Sequence, residues 1–307
     1  MVENQSLLLG IDVGTSGTKS VIVDVSGNIL GSGFKAYGHN SPQPGWVEQE
    51  PIWYVEGIRK SAAQALAESG RKWTDVCGLS MTHQRLTFIP IAKDGEPVYP
   101  AIVWNDTRCS EEARWASDAI GAESIFRRTG YSPGIWSVYK VMWLKKHCPE
   151  IYNKSYQFHM VSDWLIYQLT GKAVTSYGTA ATSGALNLAL KDKWDTDLLK
   201  EFGLREDGFV QDIRSSGTVV GSVTDEAAAV FKIPAGLPVV TAAGDQPCGS
   251  LGAGQFECGT LSVNGGTACT CEALIAEIPA LRDPNYFVEI SPTGAYIMEN
   301  SIYSGAS

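Results

Sequence analysis

The 307-residue chain is 44% hydrophobic, enough apolar material for one large domain or two at ~100–200 residues each. A formal charge of −9 and a pI near 5.0 argue against a nucleic-acid partner, which would need a basic face to neutralise phosphates. No stretch approaches the ~18–20 apolar residues that cross a bilayer, so no membrane partner is expected. The Leu7–Ile11 run also lacks the basic flank and cleavage site of a signal peptide, and a cytoplasmic protein is the expectation.

In chain order, Leu7 to Val13 reads as a buried strand, Gly14 to Thr18 as a turn, and Lys19 to Val25 as a second strand. A turn at Ser26–Asn28 leads to a third strand, Ile29 to Tyr37, which completes a meander. After a Pro- and Gly-rich loop, Pro51 stands at a first helical position. Ile52, Val55, Ile58, Ala62, Ala65 and Leu66 then recur at helical spacing to about Glu68. Val76 to Met81, Leu86 to Ile91 and Ala101 to Val103 are strand-like. From Asp106, a candidate N-cap, to about residue 171 the pattern is mainly helical. Leu237 to Ala243 reads as a strand buried on both faces that ends in Gly244-Asp245-Gln246. Residues 260–264 and 268–273 bracket a second glycine turn, Asn264 to Thr267. The seven cysteines form no C-x-x-C pair and no metal spacing, and read as reduced, mostly buried thiols.

Phosphoryl transfer asks for donors around phosphate oxygens, an acid that holds a divalent metal, and a base on the attacking hydroxyl. The segment Asp12 to Lys19 offers such parts on one hairpin. Glycines let backbone N–H groups approach an anion, Thr15 and Ser16 donate, Lys19 carries charge, and Asp12 can hold Mg²⁺ through water. A plain hairpin with an exposed lysine is the competing reading, although an acid ending an apolar strand is harder to explain that way. Neither glycine turn is a Walker A loop or a G-x-G-x-x-G dinucleotide fingerprint. Asp245 follows a buried strand and precedes a helix-like segment, a place where strand ends line clefts and where a helix cap also belongs, and the two roles can coexist.

Six landmarks occur in order: Asp12-Val-Gly-Thr-Ser-Gly-Thr-Lys19, Pro44-Gly-Trp-Val-Glu-Gln-Glu-Pro51, His83-Gln-Arg85, Ile102-Val-Trp-Asn-Asp-Thr-Arg108, Lys140-Val-Met-Trp-Leu144 and Ala243-Gly-Asp-Gln246. Together they resemble the FGGY carbohydrate kinases, which include glycerol kinase and xylulokinase. The resemblance implies an α/β, actin-like ATPase (ribonuclease H-like) fold, with a mixed sheet, flanking helices and two domains around an ATP cleft. It implies ATP and Mg²⁺ as cofactors and a small sugar or polyol as partner. Asp245 matches the catalytic base and a metal-side acid, and Asp12 the acid near the metal. Thr15, Ser16 and Lys19 match the first phosphate loop, and Gly266 and Thr267 the second. Arg85 and Trp104 match substrate contacts, with Gln84, Asn105 and Gln246 beside them; Asp106 is as suited to capping a helix and pairing Arg108.

At Leu86 glycerol kinases carry a glutamate, and the Met-His pair of xylulokinases is missing, so pentuloses, hexuloses and polyols all stay open. The expected boundary places the first domain at residues 1–252 and the beginning of the second at 253–307. A partial second domain implies weak nucleotide binding by the chain alone. It also implies open strand edges that favour self-association into a homo-oligomer. A non-catalytic sugar-binding or regulatory member of the actin-like superfamily is the alternative, and the retention of both Asp12 and Asp245 argues against it.

Overall fold

A computed structural model of the chain describes residues 6–265, 269–279 and 285–302. Its centre is a six-stranded mixed sheet. The strand order from one edge is Val219–Ser222, Pro238–Val240, Val76–His83, Leu7–Val13, Gly17–Asp24 and Ile29–Ala36. The first three strands of the chain pair antiparallel, as the meander reading requires. Val76–His83 joins Leu7–Val13 in parallel, with Val13 opposite His83, and Pro238–Val240 joins Val76–His83 in parallel on its other side. Three neighbouring parallel strands therefore finish at one end of the sheet, which is where α/β folds gather ligands.

One face of the sheet is covered by the helix Pro51–Ser69, whose Tyr54, Val55, Ile58, Ala62 and Ala65 are buried in the core. This helix rides close on the Ile29–Ala36 strand. A Cβ on Gly31 would lie 2.3 Å from the Ala65 carbonyl oxygen, and one on Gly33 2.1 Å from that of Ser61, so both positions need glycine. The helices Val161–Thr170 and Asp225–Phe231 supply Trp164, Leu165, Leu169 and Phe231 to the same core.

A second apolar cluster surrounds a small antiparallel sheet ordered Glu48–Gln49, Ala101–Ile102, Phe88–Ile91 and Gln157–Met160. The last of these strands interrupts the stretch expected to be mainly helical, because Gln157–Met160 pairs with Phe88–Ile91 and all four residues are buried. A further antiparallel sheet, ordered Leu261–Gly265, Cys269–Ile275, Tyr296–Ile302 and Phe287–Ile290, packs beside the strand ends. The mixed sheet with flanking helices is the fold class expected from the sequence.

Three local expectations need correction. The segment from Leu237 to Ala243 alternates buried and half-buried residues, so it buries one face rather than two, and only Pro238–Val240 is strand. Asp106 does not cap a helix: the next helix starts at Ser110, behind Cys109. All the cysteines are free, but Cys109 is the only one fully buried, while Cys77 and Cys258 are exposed.

Candidate active site

Asp245 sits where the third parallel strand gives way to the helix Asp245–Gly252. The N-cap of that helix is Gly244, and Asp245 is its first residue, so the carboxylate is not the cap. Its Oδ1 accepts the Gln246 backbone N–H at 2.9 Å and faces Arg85 Nε at 3.2 Å. Thr82 Oγ1 donates to the Ala243 carbonyl at 2.9 Å and Ser80 Oγ to that of Val240 at 3.1 Å, which fastens this turn to the neighbouring strand. Burial in the cleft raises the carboxyl's pKa, while Arg85 and the Gln246 N–H pull it down.

Asp245 and Gln246 border two cavities. One, of ≈ 430 Å³, also touches Asp12 and Asn264. The other, of ≈ 140 Å³, is walled by Arg85, Leu86, Trp104, Tyr131 and Phe287 among others. On the first side, Asp12 is opposite Lys19 in the hairpin register. Crowding by the surrounding protein and the Asp245 charge push the Asp12 carboxyl up to about 6, against the pull of Lys19. The residue remains open to solvent, which screens part of that effect. Two acids that repel each other across one cavity suit a divalent cation between them.

The hairpin turn is closed by Gly14 N–H donating to the Gly17 carbonyl at 3.0 Å. Thr15 is tied to the second cavity, because its Oγ1 accepts the Trp104 indole N–H at 2.9 Å. Ser16 and Lys19 are exposed beside it. Gly266 and Thr267 lie outside the described residues. The strands that flank them, Leu261–Gly265 and Cys269–Ile275, form the expected hairpin, with Gly265 opposite Cys269.

Arg85 departs most from its expected role. Its Nη1 donates to Glu289 at 2.6 Å and Glu299 at 2.7 Å, and its Nη2 to Glu299 at 3.0 Å. The guanidinium expected to contact substrate joins acids from the later sheet to Asp245. Glu289 and Glu299 have 0% and 1% of their side-chain surface exposed. Burial holds Glu289 well above the usual carboxylate range. Burial also pushes Glu299 upward, but the Arg85 charge and hydrogen bonds outweigh it and hold that carboxyl low. Glu272, directly opposite Glu299 across the strands, is pushed up to about 7 by burial and by the Glu299 charge. Ligand oxygens of these three glutamates lie within 4.8 Å of one another, the spacing of a cation site, and the Arg85 guanidinium bonds two of them.

Leu86 has φ = 66°, a left-handed conformation that a bulky residue adopts at a cost of about 1–3 kcal/mol. It bends the chain into the cavity wall, and for that reason the strand expected from Leu86 begins only at Phe88. The Leu86 carbonyl accepts the Ser137 hydroxyl at 2.9 Å. Trp104 is fixed by its N–H to Thr87 Oγ1 (3.0 Å) and by the fully buried Lys140, whose ammonium donates to the carbonyls of Val103 (2.7 Å) and Trp104 (2.9 Å). Burial lowers that ammonium's pKa to about 8.

Two expected contacts, Gln84 and Asn105, lie elsewhere, and Asp106 takes the Arg108 pairing that was one of its readings. The Gln84 amide turns into the core, donating to Gln49 Oε1 at 2.8 Å behind the cavity wall. Asn105 is exposed and does not line the cavity. Asp106 is buried against Arg108 at 2.8 and 2.9 Å and accepts the Val47 N–H, so it braces the wall and does not face substrate.

A model describing the FGGY family of carbohydrate kinases, N-terminal domain, matches residues 7–252. The chain belongs to this family. Among curated relatives, it is 30% identical to the xylulose kinase of Staphylococcus xylosus over 306 residues, covering 98% of this chain and 62% of that one. It is 32% identical to the glycerol kinase of Thermococcus gammatolerans over 265 residues, covering 85% and 52%. This FGGY chain thus spans little more than half the length of the curated relatives it matches. Among solved structures it overlays the xylulose kinase of Rhodospirillum rubrum with a TM-score of 0.91 at 24% identity, over 97% of this chain and 61% of that one. That likeness establishes the actin-like fold of the family. Among the described residues, no helix is long and apolar enough to cross a membrane.

Sequence reasoning missed Tyr131, Trp136, Phe287, Glu289 and Glu299. A signal existed for their neighbour Glu272. Thr270, Glu272 and Leu274 share the buried phase of one strand, and an acid in an inward phase asks for a counter-charge.

Proposed function

We propose that this FGGY chain supports ATP-dependent phosphorylation of a hydroxyl group on a small sugar or polyol, with Asp245 as the general base. The observation that carries this reading is the position of Asp245 on the border of two cavities. One is walled by aromatic side chains, and the other faces the Asp12 hairpin. A sugar in the first cavity lays its C–H face on Trp104 and presents one hydroxyl to the free oxygen of Asp245. As that hydroxyl oxygen bonds to the γ-phosphorus of ATP, the bond from the γ-phosphorus to the β–γ bridging oxygen breaks and ADP departs. The hydroxyl proton passes to Asp245 and then to solvent.

Asp12 and Asp245 are the residues that would hold Mg²⁺, which supplies charge neutralisation on the phosphates. The hairpin donors Thr15, Ser16 and Lys19 serve the phosphates, and Gly266 and Thr267 serve them from the second hairpin. In this reading residues 1–252 form the substrate and phosphate domain, and residues 253–307 begin the nucleotide domain. The family match ending at residue 252 supports that division.

The test is Asp245→Asn. ADP release with a panel of pentuloses, hexuloses and polyols is expected to fall about 10²–10⁴-fold. Substrate quenching of Trp104 and Trp136 fluorescence should persist. Turnover at the wild-type rate by the variant would refute the assignment.

A further inference from the structure

Which oxygen Asp245 offers to a hydroxyl depends on what holds the other one. Oδ1 accepts the Gln246 N–H at 2.9 Å and faces Arg85 Nε at 3.2 Å, so among the described residues Oδ2 is the oxygen left open. The Arg85 stem lies against the residue before the base, where a Cβ on Gly244 would come within 2.2 Å of Cγ and 2.7 Å of Cδ. That contact places the stem but leaves the last torsions of the side chain to decide where Nε points.

Those torsions are set from the far side, by the later antiparallel sheet. Glu299 takes Nη1 on one oxygen at 2.7 Å and Nη2 on the other at 3.0 Å. Two parallel N–H···O bonds fix the plane of a guanidinium as well as its position. Because Nε lies in the same rigid plane, a grip on both Nη atoms also aims the Nε–H. Glu289 meets Nη1 alone, at 2.6 Å, and accepts the Tyr131 hydroxyl at 3.3 Å. The two acids sit on adjacent strands in diagonal register, with Glu299 opposite Phe287 and Glu289 opposite Ile297. The residue after the base is held from the same sheet, since Gln246 Oε1 accepts from Asn264 at 2.8 Å and from Thr270 at 3.2 Å. Stability alone is a poor reason for such an arrangement, because a buried ion pair often stabilises no more than packed apolar side chains of similar volume. What a two-point pair adds is direction.

We propose that Glu299 is a positioning residue for the base: acting through Arg85, it fixes Asp245 Oδ1 and so presents Oδ2 to the attacking hydroxyl. The proposal rests on the kinase reading above and adds to it a residue of the later sheet. The base is therefore aimed only while that sheet is seated on the strand ends, although Asp245 itself follows a strand of the central sheet.

The experiment measures ADP release by the full chain with a sugar or polyol that the wild type phosphorylates. Glu299→Gln keeps the volume and one acceptor but gives up the two-point grip. Its kcat is expected to fall about 10–100-fold, while KM for the sugar stays within about threefold. In an Arg85→Met background the same change should lower kcat no further, because it acts through a guanidinium that is gone. A second readout needs no turnover. With aspartate labelled by carbon-13 at the carboxyl, the Asp245 signal, identified by its loss in Asp245→Asn, is expected to move in Glu299→Gln. If that variant fails to fold, Glu299→Asp retains the charge, draws the guanidinium back, and should lower kcat in the same way. A folded Glu299 variant with the wild-type kcat, or with an unmoved Asp245 signal, overturns the proposal. So do losses of kcat that add in the double variant, as two unrelated effects on stability would. A wild type that phosphorylates no sugar or polyol, or an Asp245→Asn form that is equally active, sinks the kinase reading instead, and the role of Glu299 goes with it.

Discussion

Replacing Arg85 by methionine tests whether the guanidinium holds the site together. The side chain reaches Glu289 at 2.6 Å, Glu299 at 2.7 and 3.0 Å, and Asp245 at 3.2 Å. Asp245 is one-third exposed, so solvent screens its share and it contributes little to stability. Glu299 is buried and is the carboxylate that Arg85 keeps ionised. Methionine fills similar volume but leaves that buried charge without its cation, which costs about 3–5 kcal/mol. For a chain of this size the loss corresponds to roughly 5–8 °C in Tm.

The pH dependence separates this cause from simple loss of packing. A carboxyl held below its ordinary pKa in the folded state stabilises the protein above the carboxylate range, and that contribution disappears as pH falls through its folded pKa. In the variant, Glu299 loses the Arg85 charge and hydrogen bonds while its burial stays, so its pKa rises and protonation relieves part of the strain. The difference in Tm between wild type and Arg85→Met is therefore expected to shrink between about pH 7 and about pH 5. Thermal unfolding followed by circular dichroism reads both quantities. A loss below about 1 kcal/mol, or a difference that does not change with pH, would refute the reasoning.

Lys140 gives a second pH signature of the same sign in a more alkaline window. Its folded pKa is lowered from 10.5 to about 8, so the unfolded chain holds the proton more tightly. Stability should rise with pH across that window by on the order of 3 kcal/mol, and Lys140→Met, measured by urea unfolding, should lack the rise. Asp12 must be ionised to hold a cation. Mn²⁺ affinity in the presence of ADP, followed by electron paramagnetic resonance, should therefore weaken as pH falls through about 6, and Asp12→Asn should abolish that dependence. A methyl group on Gly244 would lie 2.2 Å from Arg85 Cγ, so Gly244→Ala should displace the guanidinium from Asp245. We expect it to lower kcat more than it lowers Tm, and equal sensitivity of the two would count against the placement of Arg85.

The sequence by itself determined the meander, the first long helix and the glycine turn that follows Asp12. It did so because each is local: strand and helix periodicity, a proline at a helix start and glycines at a turn act over a few residues. It also marked Asp12 and Asp245, since an acid closing an apolar strand stands out in one dimension. The bounds were less secure where long-range contacts intervene. Leu86 is a good strand former in isolation, and only its place in the cavity wall forces φ = 66°. Gln157–Met160 lies within a helical pattern and becomes a strand because Phe88–Ile91 offers a partner edge. Likewise, Gln84 sits beside Arg85 in the chain, yet its amide pairs with Gln49 inside the core.

Tertiary structure alone decided the composition of the small cavity. Arg85 and Glu299 are 214 residues apart, and nothing in the sequence links them until parallel strand pairing and the last antiparallel sheet bring them together. That meeting changes what the arginine can do. A guanidinium read in isolation is a ligand for hydroxyl groups, whereas one already bonded to buried carboxylates has its charge and most of its donors engaged.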